Sequence, residues 1–178
     1  MEIKRVVVTG LGAITPVGNS PEETWRNLLA GVSGAAPITQ FDSSKCKTHF
    51  ACEIKDLNVN DWIDRKEARK LDRYTQLAII SAIQAVKDSG MDLEKEDKNR
   101  IGVVYGVGIG GIRTFEDEVT YYGQHIEDGP KFSPFFIPKM ILTSLRVISP
   151  STLDSMAPTT LQRVHVHRQA TLWQMPST

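Results

Sequence analysis

Two cysteines and a histidine in the N-terminal half of the chain have the residue types and spacing of metal ligands. Cys46, His49 and Cys52 follow one another at intervals of three residues, and thiolate sulfur and imidazole nitrogen commonly bind zinc. A structural zinc site normally takes a further ligand, and none stands at a matching distance. His165 and His167 could chelate a metal, but they offer too few ligands. We therefore predict no metal site and interpret both cysteines as reduced thiols.

A glycine run has the spacing of a dinucleotide-binding turn. Gly106, Gly108 and Gly111 satisfy G-x-G-x-x-G, in which glycines let the backbone approach a pyrophosphate. The pattern is a weak signal, because glycines at strand ends also serve close packing. The segment Thr9–Gly12 could indicate a short-chain dehydrogenase, but no tyrosine is followed at the required spacing by the lysine that those enzymes use. A nucleotide-binding α/β module stays an alternative.

A cationic cluster is the third group with possible function. It contains Arg65, Lys66, Arg69, Lys70 and Arg73 and is interrupted by Glu67 and Asp72. Such a cluster is either a solvated helical face or a docking surface for an acidic partner, since cations on adjacent turns can engage carboxylates or a phosphate.

The elements that would carry these residues begin with a strand and a helix. Arg5 to Thr9 is a β-branched run that suits a buried parallel strand. Ser20 and Pro21 predict a helix start, with Ser20 as the N-cap and Glu23 placed to complete a capping box. That helix is expected to end at Gly31.

Helices and strands alternate in the following part of the chain. A helix is predicted from Arg69 to Lys87, where apolar residues recur at helical spacing, with Ser89 and Gly90 as its stop. A second strand, from Arg100 to Tyr105, leads into the glycine run. An acidic helix around Glu116–Glu118 and a loop from Gly123 to Pro130 follow. This order predicts an α/β fold with a parallel or mixed sheet.

Composition excludes several classes of protein. The formal net charge is zero at pH 7, so there is no bulk electrostatic case for binding nucleic acid or membranes. No apolar run approaches the roughly 18 residues that a membrane span needs, and the N-terminal residues do not form a signal peptide. We expect a cytoplasmic protein.

Four segments, in order, resemble the β-ketoacyl-acyl-carrier-protein synthases, most closely the type II elongating members. They are VVVTGLGAITPVG (6–18), RKEARKLD (65–72), GVGIGG (106–111) and SPFFIP (133–138). Together they cover residues 1–141 almost continuously. The resemblance implies the thiolase-like α-β-α-β-α layered fold, a homodimer in the intact family, and decarboxylative Claisen condensation on acyl carrier protein without a cofactor.

The resemblance also assigns roles to individual residues. It implies that Lys66, Arg69 and Lys70 dock the acidic carrier protein. It implies that Ile109, Phe135 and Phe136 line the acyl pocket. No catalytic residue can be carried over, because the nucleophilic cysteine and the two histidines of the family have no match. Cys46 and Cys52 lie upstream of the glycine run, far from the matching position.

The composition changes after Ile141. Residues 142–178 contain no Gly, Lys or Glu, and eleven of these thirty-seven residues are Ser or Thr. Codons for 142–176, read with one G restored before them, can spell ADISAGHIS, INFGLHGPNY and TTASACASSSNALADA in succession. This string resembles the nucleophile region of the family, with its cysteine in SACASS. A single-nucleotide deletion near codon 141 or 142 is the favoured interpretation, and a biased, partner-binding tail is the alternative.

The sequence therefore predicts an incomplete N-terminal half of a thiolase-like fold over residues 1–141, followed by an unrelated, disordered tail over 142–178. We expect this chain to be inactive and poorly folded, although its family condenses acyl chains. A non-catalytic partner resembling the chain-length factors of condensing enzymes stays an alternative, beside the nucleotide-binding module.

Overall fold

The computed structural model describes residues 5–97, 101, 105–129 and 131–140. The chain divides into two units, Met1–Glu96 and Asp97–Thr178. The first contains α1 (Pro21–Leu29), β1 (Ala36–Pro37), β2 (Phe50–Ala51), a 3₁₀ turn (Val59–Asp61), α2 (Arg65–Ala68) and α3 (Arg73–Ser89). The second contains α4 (Ile112–Gln124), a 3₁₀ turn (Ile126–Asp128) and α5 (Phe136–Met140).

Helix α1 begins where the capping signal predicts. The Glu23 N–H donates to Ser20 Oγ at 3.1 Å, and Pro21 occupies the first helical position, where its missing N–H costs nothing. The Glu23 carboxylate accepts from the Asn19 N–H at 2.7 Å, one residue earlier than in an ordinary capping box. The chain leaves the helix through Gly31, which has a positive φ of 69°.

The helix predicted from Arg69 to Lys87 is α3, and it begins later than predicted, at Arg73. The Asp72 side chain accepts a hydrogen bond from the Tyr74 N–H at 3.3 Å, so Asp72 is the N-cap of α3. An Asp at this position satisfies a free N–H of a new helix and therefore starts α3 at Arg73. The predicted stop is confirmed, since Gly90 adopts the left-handed conformation at the C-cap.

The core of the first unit is built on α3. Ala78, Ile79 and Ile80 are buried, together with Ile63 and Leu71 of the preceding segment. Because Ala78, Ile79 and Ile80 are consecutive, α3 is buried on more than one side, and this burial supplies the main stabilisation of the unit.

The glycine-rich N-terminal segment packs directly against α3. A Cβ atom on Gly12 would lie 1.9 Å from the Ser81 carbonyl oxygen, and one on Gly10 would lie 2.2 Å from the Ala85 carbonyl oxygen. The Ala13 N–H donates to Gln84 Oε1 at 3.0 Å. Gln84 is buried and its Nε2 also donates to the Asn19 carbonyl at 2.7 Å. Glycine at position 12 is therefore required by the closeness of the two backbones.

The predicted strand from Arg5 to Thr9 does not form. These residues carry no strand, and Val6 and Val8 are 88% and 77% exposed. A β-branched run becomes a strand only when neighbouring strands accept its backbone hydrogen bonds. Within the described ranges the sheet is one antiparallel pair, with Ala36 opposite Ala51. The second predicted strand falls mostly outside the described residues, at 100 and 102–104.

In the second unit, a glycine at the start of α4 lies close to α5. Gly111 is the N-cap of α4 with φ of 64°, and a Cβ there would lie 2.7 Å from Met140 Cα. The acidic helix is thus confirmed, and it continues through Gly123 to Gln124. The predicted loop from Gly123 is wrong at its start, because the following residues form a 3₁₀ turn; Pro130 lies outside the described residues.

No helix within the described ranges is both long enough and apolar enough to cross a membrane.

Candidate functional site

Five exposed cationic residues lie on α2, in the turn that follows it and at the start of α3; this segment is here called the α2 cationic surface. Its members are Arg65, Lys66, Arg69, Lys70 and Arg73, and all five are exposed. Asp64 starts α2 by accepting from the Lys66 N–H at 2.8 Å. Helix α2 is little more than one turn long. Lys66 lies on the helix, and Arg69 and Lys70 lie in the turn that follows it, so all three are on one short exposed segment.

One cation of this surface is already paired. Lys70 Nζ lies 2.7 Å from Glu67 Oε1, and the two side chains are 45% and 36% exposed. An exposed pair of this kind contributes about 0–1 kcal/mol. Among the described residues, neither Lys66 nor Arg69 makes an ion pair. Of the three predicted docking residues, Lys70 is thus paired with Glu67, whereas Lys66 and Arg69 form no ion pair with another described residue.

Tyr74 lies beside this surface at the start of α3. Burial raises the pKa of its hydroxyl, and the Asp72 carboxylate raises that pKa further, against a hydrogen bond with Thr75 that lowers it. The phenol is consequently neutral near neutral pH and adds no negative charge to the surface.

The residues predicted to line an acyl pocket are in different environments. Phe136 packs in an aromatic cluster, with its ring centroid 5.5 Å from that of Phe132 and 6.3 Å from that of Phe115. Phe135 is 42% exposed and Ile109 is 73% exposed. Phe136 is therefore half-buried among aromatic partners, whereas Phe135 and Ile109 are exposed.

Sequence reasoning missed the residues that organise the turn before α5. The Ser133 N–H donates to Glu118 Oε2 at 3.0 Å, and Ser133 Oγ accepts from the Phe135 N–H at 3.2 Å. Tyr122 also contacts Phe132, with ring centroids 5.3 Å apart. Phe115 and Tyr122 lie about two helical turns apart in α4. This spacing places them on the same face of the helix and could have indicated their shared packing.

The other candidate residues gather no site. Cys46 and Cys52 are exposed free thiols. Over the part of the chain that the structure describes, no group of three or more His, Cys, Asp or Glu side chains could hold a metal ion. In the glycine run, a Cβ on Gly106 or Gly108 would meet no atom within 4 Å. Gly111, in contrast, is constrained by its positive φ and by the closeness of Met140.

Comparison with known proteins decides the family. The model of the β-ketoacyl synthase N-terminal domain matches residues 3–149. The chain belongs to the β-ketoacyl synthase family. The resemblance inferred from the four motifs is thereby confirmed.

Individual relatives agree with this family. The chain is 48% identical over 139 residues to 3-oxoacyl-[acyl-carrier-protein] synthase 2 of Staphylococcus aureus strain COL, which covers 78% of this chain and 33% of that protein. It is 40% identical over 159 residues to the synthase 2 of Synechocystis, which covers 89% of this chain and 38% of the relative. The chain thus spans about a third of the length of these curated relatives.

Solved ketosynthase structures share the fold. The ishigamide ketosynthase/chain length factor matches with a TM-score of 0.69 and 26% identity, over 78% of this chain and 35% of that one. A type II polyketide ketosynthase, solved with its acyl carrier protein, matches with a TM-score of 0.64 and 28% identity, over 81% and 39% of the two chains. These likenesses confirm the predicted fold class, part of a thiolase-like α/β fold.

Proposed function

We propose that the gene from which this chain derives specifies a condensing enzyme that elongates acyl chains on acyl carrier protein. The observation that carries the proposal is the 48% identity over 139 residues to a 3-oxoacyl-[acyl-carrier-protein] synthase 2. Family membership favours this function over nucleotide binding.

The proposed reaction has two covalent steps. A cysteine thiolate attacks the acyl thioester of the first carrier protein, and the carrier thiol leaves. Malonyl carrier protein then loses CO₂, and its carbanion attacks the cysteine thioester. A carbon–carbon bond forms, the cysteine thiolate leaves, and the product is β-ketoacyl carrier protein. Backbone N–H groups and two histidines would stabilise the developing oxyanions.

This chain lacks the groups for that chemistry. We propose that residues 142–178 are an out-of-frame translation of the nucleophile region, because a single restored base turns the composition-biased tail into a string containing SACASS. The match to the family model runs to residue 149 and so includes the first residues of this segment. The test is a condensation assay on the product of the gene with one base restored ahead of codon 142, compared with the 178-residue chain.

The α2 cationic surface is the proposed docking site for the carrier protein. Lys66, Arg69 and Lys70 are exposed on one segment, as electrostatic steering of an acidic partner requires. A related ketosynthase has been solved in complex with its acyl carrier protein, which supports a carrier protein as the partner. Ile109, Phe135 and Phe136 are the proposed acyl-pocket residues; Phe136 has the supporting aromatic contacts.

Replacing Arg69 by Ala is expected to weaken carrier-protein binding by about tenfold at low ionic strength, because one desolvated contact of a guanidinium with a carboxylate is lost. The binding constant of the 178-residue chain for fluorescently labelled holo acyl carrier protein measures the effect. Lys95→Ala is the matched control, since Lys95 is an exposed cation of the same unit that lies outside the surface. Equal affinities of the two variants would argue against docking at this surface.

A chain-length-factor-like role is the second candidate. It is favoured by the likeness to a ketosynthase/chain length factor assembly. This role predicts that the chain forms a stable heterodimer with a full-length synthase on a sizing column, whereas a truncated condensing enzyme predicts separate elution.

A further inference from the structure

The carboxylates within the α2 cationic surface do different things. Asp64 caps α2 by accepting from the Lys66 N–H at 2.8 Å. Asp72 caps α3 by accepting from the Tyr74 N–H at 3.3 Å. Both are fixed by the helices that they start. Glu67 instead places its carboxylate against Lys70 Nζ at 2.7 Å, and both side chains are partly exposed.

Glu67 is therefore an acid of this surface that forms an ion pair with one of the docking cations, Lys70. The negative charge of Glu67 offsets the positive charge of Lys70. In the sequence, Glu67 lies between Lys66 and Arg69. An approaching acidic protein would meet a carboxylate in the middle of a cationic surface, and like charges at close range weaken binding. An exposed ion pair is weak and opens at little cost.

We infer that Glu67 limits the affinity of this surface for an acidic carrier protein by holding Lys70 away from the partner. Lys70 contributes to docking only when a carboxylate of the partner takes the place of Glu67. The exchange keeps the complex weak, as suits a carrier that must leave after each delivery. This inference rests on the proposed docking function and concerns how strongly the same surface binds.

The test replaces Glu67 by Gln, which keeps the side-chain length and removes the charge. The 178-residue chain is titrated with fluorescently labelled holo acyl carrier protein at low and at high salt. Glu67→Gln is expected to bind about threefold more tightly at low salt, because Lys70 is released and a repulsive charge is lost. The gain should shrink as salt screens the added cation.

Asp92→Asn is the matched control. Asp92 forms an exposed i,i+3 pair with Lys95 at 2.8 Å in the same unit, so the substitution breaks an equivalent pair and changes the net charge equally. It is expected to leave carrier-protein affinity unchanged. An equal gain in both variants would show a nonspecific charge effect and would overturn the inference.

A second pair of variants tests Lys70 directly. Lys70→Ala is expected to have little effect in the parent chain and to weaken binding about threefold in the Glu67→Gln background. Equal effects in both backgrounds would show that Glu67 does not restrain Lys70, and would overturn the inference alone. If Arg69→Ala leaves affinity unchanged, or the parent chain does not bind, the docking function itself fails and the inference fails with it.

Discussion

Incubation of the 178-residue chain with carrier protein that bears a labelled acyl chain is expected to give no acyl-protein thioester and no β-ketoacyl product. The condensation requires a thiolate activated at the N-terminus of a helix. Cys46 lies in a turn, where its N–H donates to the Ser43 carbonyl at 2.9 Å, and Cys52 follows directly after β2. Neither thiol stands at the start of a helix.

The gene product with one base restored ahead of codon 142 is the positive comparison. It is expected to form a thioester on the cysteine of SACASS and to elongate the chain, with a rate at least about 10⁶ times that of the unmodified chain. Mass spectrometry locates the acyl group, and replacement of the restored cysteine by Ala should abolish it. A stoichiometric adduct on Cys46 or Cys52, accompanied by β-ketoacyl product, would contradict the expectation.

Replacing Gly12 by Ala is expected to lower the free energy of unfolding of the first unit by about 3 kcal/mol. The new Cβ would lie 1.9 Å from the Ser81 carbonyl oxygen and 2.9 Å from the Ala85 nitrogen. Both are backbone atoms of α3, which cannot move aside as a flexible side chain could. The N-terminal segment must therefore lift from the helix, and the hydrogen bond between Ala13 and Gln84 is strained or lost.

The urea midpoint of unfolding, followed by far-UV circular dichroism, measures this effect. Gly108→Ala is the matched control, because a Cβ at Gly108 would meet no atom within 4 Å; its free energy of unfolding should change by less than about 0.5 kcal/mol. Equal midpoints for the two variants would show that residues 10–13 do not pack on α3 as described.

Local signals in the sequence were sufficient for the start of α1 and the end of α3. Ser20, Pro21 and Glu23 define the start of α1 because capping depends on side chains within a few residues. The start of α3 at Arg73 was missed because the apolar spacing continues across the N-cap residue Asp72. The spacing reports which face is buried, whereas the N-cap depends on whether the aspartate side chain turns back to its own backbone.

The non-local features could not be read from the sequence. Val6 to Val8 have the composition of a buried strand. A strand forms only when neighbouring strands accept its hydrogen bonds, and the described residues supply no such neighbour. These valines are therefore exposed. The docking residues were identified from the family motif. These residues are near one another because they are close along the chain, on α2 and in the turn after it. The pairing of Lys70 with Glu67 depends on side-chain rotamers.

Two of the four motifs by which the family was recognised contain a glycine that the backbone geometry requires. Gly12 meets the backbone of α3, and Gly111 combines a positive φ with the approach of Met140. The acyl pocket was less accessible to sequence reasoning. Phe136 packs with Phe115 and Phe132, whereas Phe135, its neighbour in sequence, is 42% exposed.

Sequencing of the source DNA across codons 138–178 tests the central claim most directly. The claim predicts that codons 142–176, read one base earlier, give an uninterrupted string that resembles the nucleophile region and contains a cysteine within SACASS. Leu142 should then be encoded by CTG and Arg146 by CGG. A stop codon in that frame, or codons that yield no cysteine there, would contradict the claim and leave residues 142–178 as a genuine tail.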